Sequence, residues 1–291
     1  MKKGMNIVTQ ISYKLKQLIP DKVYLSLQYR HHLGKKLNLV NPETFNEKLQ
    51  WLKLYDRKPE YTMYVDKYAV REHIKEIIGE EYLIPIIGVY DNVEDIDWDS
   101  LPDKFVLKCT HGSQCNIICS DKSKLNIEES KAKLERWMNR NWYWYGREWP
   151  YKNVKPRIIC EDYLVQDDGD ELRDYRFFCF NGEPKLITVD FSITDKKKTR
   201  RNLYDLNWNR IDAEISYPKE NNYIVEKPQK FKKMVELSKK LASNLRHARI
   251  DFYYIEGKIF FGEITLYHQS GYGKIRPAEF DKKMGEWLKL N

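Results

Sequence analysis

The residues with the clearest capacity for chemistry lie near the C-terminus, in Arg249-Ile-Asp251-Phe-Tyr-Tyr-Ile-Glu-Gly-Lys-Ile-Phe-Phe-Gly-Glu263-Ile-Thr265. Residues two apart in a strand share a face. Arg249 therefore points with Asp251, and Glu263 points with Thr265. Glu256-Gly257 between two apolar runs is a tight-turn signal. Pairing around that turn brings positions 251 and 263 together to within one residue of register. Two carboxylates so close repel unless a cation lies between them. Mg²⁺, held by one or two carboxylates plus water and phosphate oxygens, suits such a pair. A solvated hairpin face with ordinary charge pairs would show the same residues.

Two further segments carry polar groups at strand ends. In Phe105-Val-Leu-Lys108-Cys-Thr110-His111-Gly112-Ser113, a lysine ends an apolar strand and runs into a small-residue loop. Gly112 lets backbone N–H groups approach an anion closely, Thr110 and Ser113 add hydroxyl donors, and Lys108 adds a point charge for phosphate. In Arg157-Ile-Ile-Cys-Glu161-Asp162-Tyr163-Leu164, a strand leads into the polar segment Gln166–Asp170. Backbone groups there can read an adenine edge, with Asp167 or Asp168 placed for a ribose hydroxyl. A plain turn and a plain crossover are the alternatives for these two segments. Arg176 shares a strand face with Asp174 and is a candidate for phosphates or a substrate carboxylate. His268, just beyond the metal strand, is a candidate proton acceptor, although a loop histidine is more often solvated. The basic run Asp195–Arg201 reads as a solvated loop or an attractor of anionic substrate. The aromatic run Trp137–Trp149 reads as a core cluster or a stacking surface for a sugar ring.

The elements that must position these groups change period along the chain. The first 65 residues read as helical, with a capping box at Thr44 and Glu47 and a helix cap at Asp66. Strands follow at 82–89, 104–108, 116–119 and 157–165, with a helix at 128–139. Asn181-Gly182 and Glu256-Gly257 then mark two hairpins, and helices follow at 228–246 and 277–288. Hairpins mixed with long helices indicate an α+β protein, and no G-x-G-x-x-G, Walker lysine or G-x-S-x-G motif occurs. With 42% hydrophobic residues in 291, the chain is neither disordered nor a disulfide-stapled miniprotein. It has no run of ~18 apolar residues for a membrane span. Its five cysteines form no C-x-x-C pair and read as buried free thiols. The N-terminal segment is a poor signal peptide but reads as a basic amphipathic helix, with Val8, Ile11, Leu15, Leu18 and Ile19 at helical spacing, that packs on the body of the protein or docks on a membrane surface.

Taken together, Asn41–Lys48, Asp66-Lys67-Tyr68, the Lys108–Ser113 loop, Glu161–Leu164, Asp174-Tyr-Arg176-Phe-Phe-Cys-Phe-Asn-Gly182 and the Arg249–Thr265 hairpin resemble the ATP-grasp superfamily, in particular its TupA-like branch. The resemblance spans residues 35–290. It implies an α+β ATP-grasp fold in which two α+β lobes clamp a nucleotide, with a helical N-terminal extension. The implied divisions are a helical region at 1–65, a first lobe at 66–164 and a second at 165–291. Lys67 and Lys108 match the phosphate-binding lysines, and Thr110, His111, Gly112 and Ser113 fall in the loop that closes over the phosphates. Glu161, Asp162, Tyr163 and Leu164 match the adenine hinge, with Asp168 at the ribose. Asp251, Glu263 and Thr265 match the metal positions, where many relatives carry Asn in place of Thr265. Arg249 matches the arginine near the transferred phosphate. ATP and Mg²⁺, or Mn²⁺, are the implied cofactors.

The implied activity is an ATP-dependent carboxylate–amine ligase working through an acyl-phosphate. It would attach an amino acid or amine to an acidic sugar or peptide in cell-surface polysaccharide biosynthesis. Arg249, Lys108, Arg176 and His268 are then the catalytic candidates. The partners are small-molecule or saccharide carboxylates and amines, and the place is the cytoplasm or the inner face of the membrane. A sugar phosphotransferase on the same fold is one alternative. A glycosyltransferase is another, since Asp95-Ile-Asp97 and Asp97-Trp-Asp99 have the D-x-D spacing. The net charge of +8 is compatible with nucleic acid, but no recognised binding module accompanies it.

Overall fold

The computed structural model describes residues 17–165, 172–191, 197–222 and 225–290. The chain divides into two compact units. One contains residues 1–28, 53–70 and 84–163; the other contains 29–52, 71–83 and 164–291. Of the described residues before 66, 17–28 and 53–65 fall in the first unit and 29–52 in the second. Val8, Ile11, Leu15 and Asp168 lie outside the described residues. Among the described residues, no helix is long and apolar enough to cross a membrane.

The first unit is built on a four-stranded antiparallel sheet of β1 (Ile86–Tyr90), β2 (Phe105–Cys109), β3 (Asn116–Cys119) and β4 (Ile158–Asp162), in the order β1-β4-β2-β3. Alternation in β2 buries Phe105, Leu107 and Cys109 and leaves Val106 and Lys108 part-exposed. The buried face packs with Ile117, Cys119, Ile158 and Cys160 against Leu134 of the helix Ile127–Met138. The five cysteines are free and buried, and burial pushes the Cys109 and Cys160 thiols up to about 12, so they pack as small apolar groups.

The second unit carries a six-stranded antiparallel sheet in the order β11-β10-β5-β6-β7-β8. Its strands are β5 (Asp174–Phe180), β6 (Glu183–Phe191), β7 (Arg200–Tyr204), β8 (Arg210–Ile211), β10 (His247–Ile255) and β11 (Lys258–Thr265). Two short strands, β9 (Glu214–Ile215) and β12 (Ile275–Arg276), pair separately. Both hairpin turns carry positive φ at both central residues, Asn181-Gly182 and Glu256-Gly257, the geometry that matches strand twist in two-residue turns. Met234, Leu237 and Leu241 of the helix Phe231–Ala242 are buried, and that helix packs on β5, β6 and β10. The expected capping box forms in the helix Phe45–Tyr55: Thr44 N–H donates to Glu47 Oε2 at 3.1 Å, and Glu47 N–H donates to Thr44 Oγ1 at 3.3 Å.

Candidate functional site

In the first unit, Lys108 sits on the face of β2 opposite the core. Its Nζ donates to Glu161 Oε2 on β4 at 2.6 Å, with the two side chains 15% and 7% exposed. Register explains the pair. Val106 pairs with Ile118 on one side and Glu161 on the other, and Lys108 pairs with Asn116 and Ile159. The open face therefore presents Val106 and Ile118 beside one ion pair, over the fully buried Ile159. A flat heteroaromatic ring suits such a patch, because its faces are apolar and its edges carry polar groups. Val106 and Ile118 were not singled out from the sequence, although the alternation in Phe105–Cys109 is the signal that contains them.

The loop after β2 is tied down from several sides. Lys67 Nζ donates to the Gly112 carbonyl at 2.6 Å, and Lys67 N–H to the Thr110 carbonyl at 3.2 Å. Asp66 caps the helix Val70–Ile77 by accepting from Tyr68 N–H and Ala69 N–H, which fixes the start of that segment beside the loop. His111 is buried, its Nε2 lies 3.1 Å from the Trp137 carbonyl, and burial pulls its pKa down. A β-carbon at Gly112 would come within 3.2 Å of the Trp142 ring, so glycine allows the close approach. Thr110 is buried and Ser113 half-buried. Glu161 is buried, Asp162 exposed, and Tyr163 and Leu164 half-buried at the end of β4.

The aromatic run is organised around Arg147, which is fully buried. Its guanidinium lies 4.5 Å from the Tyr24 ring, 4.5 Å from Trp144 and 5.5 Å from Tyr143. Asp21 accepts from the Tyr143 hydroxyl at 2.7 Å and from Arg57 at 2.7 Å. Tyr143 and Trp144 thus pack against a cation inside the unit. The D-x-D pairs are also consumed locally. Asp97 accepts from Asp99 N–H and Ser100 N–H, Asp95 accepts from Asn92 N–H, and Trp98 is buried between them in sequence.

In the second unit, one face of the sheet is densely charged. Asp251 stands opposite Glu263 on β11 and opposite Arg176 on β5, and Arg249 stands opposite Thr265. A bulge sets this register: Phe252 pairs with Phe261, but Asp251 pairs with Glu263, leaving Gly262 as the extra residue. Without it Asp251 would oppose Gly262, and Glu263 would turn to the other face. Glycine fits there because a β-carbon would lie 3.1 Å from the Asp251 carbonyl oxygen.

Three arginines and four carboxylates interlock on this face. Arg249 Nε and Nη2 donate to the two oxygens of Asp251 at 2.7 and 2.5 Å, and Nη2 also donates to Glu263 Oε1 at 2.7 Å. Thr265 Oγ1 donates to the same Glu263 oxygen at 3.0 Å. Arg176 donates to Asp174 at 2.6 Å, and its guanidinium lies 2.9 Å from Asp190 and 3.6 Å from Asp251. Arg201 forks onto both Asp190 oxygens at 2.6 Å. Burial pushes the Asp251 carboxyl up, opposed by the two arginines beside it. Asp190 is held down by Arg176 and Arg201 in spite of its burial. Asp190 was passed over in the sequence, and Arg201 was read there only as part of a basic run, either solvated or attracting an anionic substrate. It is fully buried, while Lys197 and Lys198 are exposed.

His268 is likewise buried, at 2% exposure, where a solvated loop was expected ahead of a catalytic role. Its Nδ1 lies 2.8 Å from Arg249 Nη1 and its Nε2 lies 3.3 Å from Arg201 Nη1. Both neighbours are obligate donors, and a neutral imidazole accepts at one nitrogen only. Burial and the surrounding arginines hold its pKa well below the usual value. The ring braces Arg249 and is poorly suited to taking up a proton.

A hard divalent cation fits part of this arrangement. Asp251 and Glu263 present oxygens to one common nitrogen, and Thr265 adds a hydroxyl. Mg²⁺ needs no more than one or two carboxylates from the protein. Among the described residues, no group of three or more His, Cys, Asp or Glu side chains forms a cage, so water and ligand oxygens would complete the shell.

A sequence model of the TupA-like ATP-grasp family matches residues 47–289. No curated protein matches significantly. Among solved structures, the chain is similar to D-alanine–D-alanine ligase from Helicobacter pylori, with 16% identity and a TM-score of 0.43 over 84% of this chain and 67% of that one. It is similar to the D-cycloserine synthetase DcsG, with 15% identity and a TM-score of 0.41 over 78% and 71%. The ATP-grasp ligase PsnB, solved with a minimal precursor, Mg and ADP, shows 10% identity and a TM-score of 0.41 over 84% and 66%. The match to the family over most of its length decides the matter: with an α+β fold of the kind the resemblance implied, the chain belongs to the TupA-like ATP-grasp family.

Proposed function

We propose that this ATP-grasp enzyme is an ATP- and Mg²⁺-dependent carboxylate–amine ligase that works through an acyl-phosphate. In this reading it joins an amino acid or amine to an acidic sugar or peptide in cell-surface polysaccharide biosynthesis. The observation that carries the reading is the Arg249–Asp251–Glu263 cluster, in which a guanidinium and two carboxylates of paired strands converge.

A carboxylate is a poor acyl donor because its leaving group would be oxide. Phosphorylation by ATP replaces that leaving group with phosphate, and an amine then displaces it. Mg²⁺, when bound, neutralises phosphate charge and aligns the transfer. Asp251 and Glu263 would hold it, with Thr265 orienting Glu263. Lys67 and Lys108 supply point charges to the phosphates, while Val106 and Ile118 take the base. Glu161 holds Lys108 in place. Arg249 balances charge on the acyl-phosphate and on the tetrahedral oxyanion that follows. The Thr110–Ser113 loop, pinned through the Gly112 carbonyl by Lys67, excludes water from the acyl-phosphate when Lys67 turns to phosphate. The amine's proton leaves to solvent or substrate phosphate, since His268 is held neutral between two arginines.

Hydroxylamine tests the reaction class. With ATP, Mg²⁺ and a panel of uronic acids and amino acids, a ligase yields a hydroxamate and ADP. A phosphotransferase yields ADP and a phosphosugar with no hydroxamate. Work at a membrane surface is supported by the exposed Leu18, Val23 and Leu27 beside Lys22 and Arg30. Co-sedimentation with anionic but not neutral vesicles is the expected result, and no sedimentation with either removes this part of the reading.

A further inference from the structure

The cluster that carries the proposed metal site contains its own cation. Arg249 Nη2 donates at once to Asp251 Oδ2 at 2.5 Å and to Glu263 Oε1 at 2.7 Å. A single positively charged nitrogen thus bridges the two carboxylates from which a metal would draw its oxygens. Nε of the same guanidinium takes Asp251 Oδ1 at 2.7 Å, and Nη1 lies 2.8 Å from His268 Nδ1. All three nitrogens are engaged, and the side chain is 7% exposed.

Two physical consequences follow. Asp251 and Glu263 cannot both stay ionised and adjacent in a poorly solvated place without a cation, and here the guanidinium meets that requirement. A divalent cation placed between the same two oxygens would also stand against the guanidinium, and the two positive charges repel. Arg249 must therefore withdraw for a metal to enter. A withdrawn buried arginine needs a new anion, which a nucleotide phosphate or substrate carboxylate supplies.

We propose that Arg249 is a built-in counter-ion that holds the bridging position between Asp251 and Glu263 until a metal–nucleotide displaces it. Loading the metal and freeing Arg249 for the reacting groups are then one event. The inference rests on the reading of these residues as a metal site. It adds that free divalent cation binds weakly and that the nucleotide is required for tight binding. His268 helps hold Arg249 in the bridging position.

Mn²⁺ binding, followed by loss of the free-ion paramagnetic resonance signal, tests this on the full chain without measuring turnover. Wild-type protein is expected to bind Mn²⁺ at least ten-fold more weakly alone than with ADP. Arg249→Met should tighten nucleotide-free Mn²⁺ binding at least ten-fold, because the competing cation is gone. Arg249→Lys, with one ammonium instead of a fork, should tighten it several-fold and decides the matter if Arg249→Met does not fold. Adding Asp251→Asn to Arg249→Met should abolish the gain, which places the bound ion at these carboxylates.

Folded Arg249→Met, or Arg249→Lys in its place, with wild-type nucleotide-free affinity overturns the counter-ion role. So does wild-type protein that binds Mn²⁺ equally well with and without ADP. Wild-type protein that takes up no Mn²⁺ even with ADP overturns the metal-site reading itself, which separates the two failures.

Discussion

The two units hold their charges in opposite ways. Around the loop after β2 the cations are lysines, each making a single short contact: Lys67 to a loop carbonyl and Lys108 to Glu161. On the six-stranded sheet they are arginines forked onto carboxylates, each shared with a neighbour: Arg249 on Asp251 and Glu263, Arg201 on Asp190, Arg176 on Asp174 and Asp190. An ammonium on a flexible stem can exchange one acceptor for another at little cost, whereas a planar guanidinium fork fixes direction as well as charge. The comparison teaches that the lysines beside the loop are held by position alone, whereas the arginines are held in direction by the register of the sheet.

The largest effect should come from the centre of the forked network. Asp190 accepts from both Arg176 and Arg201 at 1% exposure, so Asp190→Ala leaves two buried guanidiniums short of a partner. Breaking a buried pair in this way costs about 3–5 kcal/mol, to be read from urea unfolding. A loss no larger than that of Lys108→Met would erase the distinction between the units.

Next, Asp251→Asn is expected to lower ATP turnover by about 10²–10³-fold, the scale on which preorganised charge stabilises a transition state. Circular dichroism and unfolding should show that the fold survives. Turnover within a few-fold of wild type would remove Asp251 from the site.

Lys108→Met should act more mildly, because a point charge among several is lost. A fall of roughly 10–100-fold in kcat/KM for ATP, or about 1.4–2.7 kcal/mol, is expected. It should fall mainly on KM, whereas Asp251→Asn should fall mainly on kcat. The reverse pattern would reassign the two residues.

A further effect, confined to stability, concerns pH. His247 is packed against Phe45, Phe178 and Phe180, and burial pulls its pKa down to about 3. Between that value and the ordinary histidine value the unfolded chain binds one more proton than the folded one. Stability from this group therefore falls as pH drops through that window, by about 1.4 kcal/mol per pH unit. His247→Phe should flatten the acid limb of a stability–pH curve. An unchanged limb would show that the ring is protonated in the folded state.

Much of the fold was legible because it rests on local rules. Alternation in Phe105–Cys109, the two X-Gly turns, the Thr44–Glu47 box and the Asp66 cap depend on neighbouring residues alone, and each appears where local chemistry puts it. The short strands β7, β8, β9 and β12 were not legible. β8, β9 and β12 have two residues each and carry no period to detect, β9 and β12 pair across a long stretch of chain, and β7 lies in a basic run that reads as loop. The aromatic run could not be assigned from composition either. What Tyr143 and Trp144 pack against is Arg147, whose burial depends on Tyr24 and Asp21, far away in sequence.

The sequence by itself determined the α+β class, the two hairpins and the chemical types at the site: two carboxylates, an arginine and a hydroxyl at period-two spacing, and a lysine before a small-residue loop. It left the register of 251 and 263 open by one residue, and the Gly262 bulge decided it by turning Glu263 onto the face of Asp251. It also could not show that Arg201 and His268 are buried beside Arg249. Burial is a property of the assembled sheet and the turn above it, and a run of charges looks the same in sequence whether water or a carboxylate faces each one.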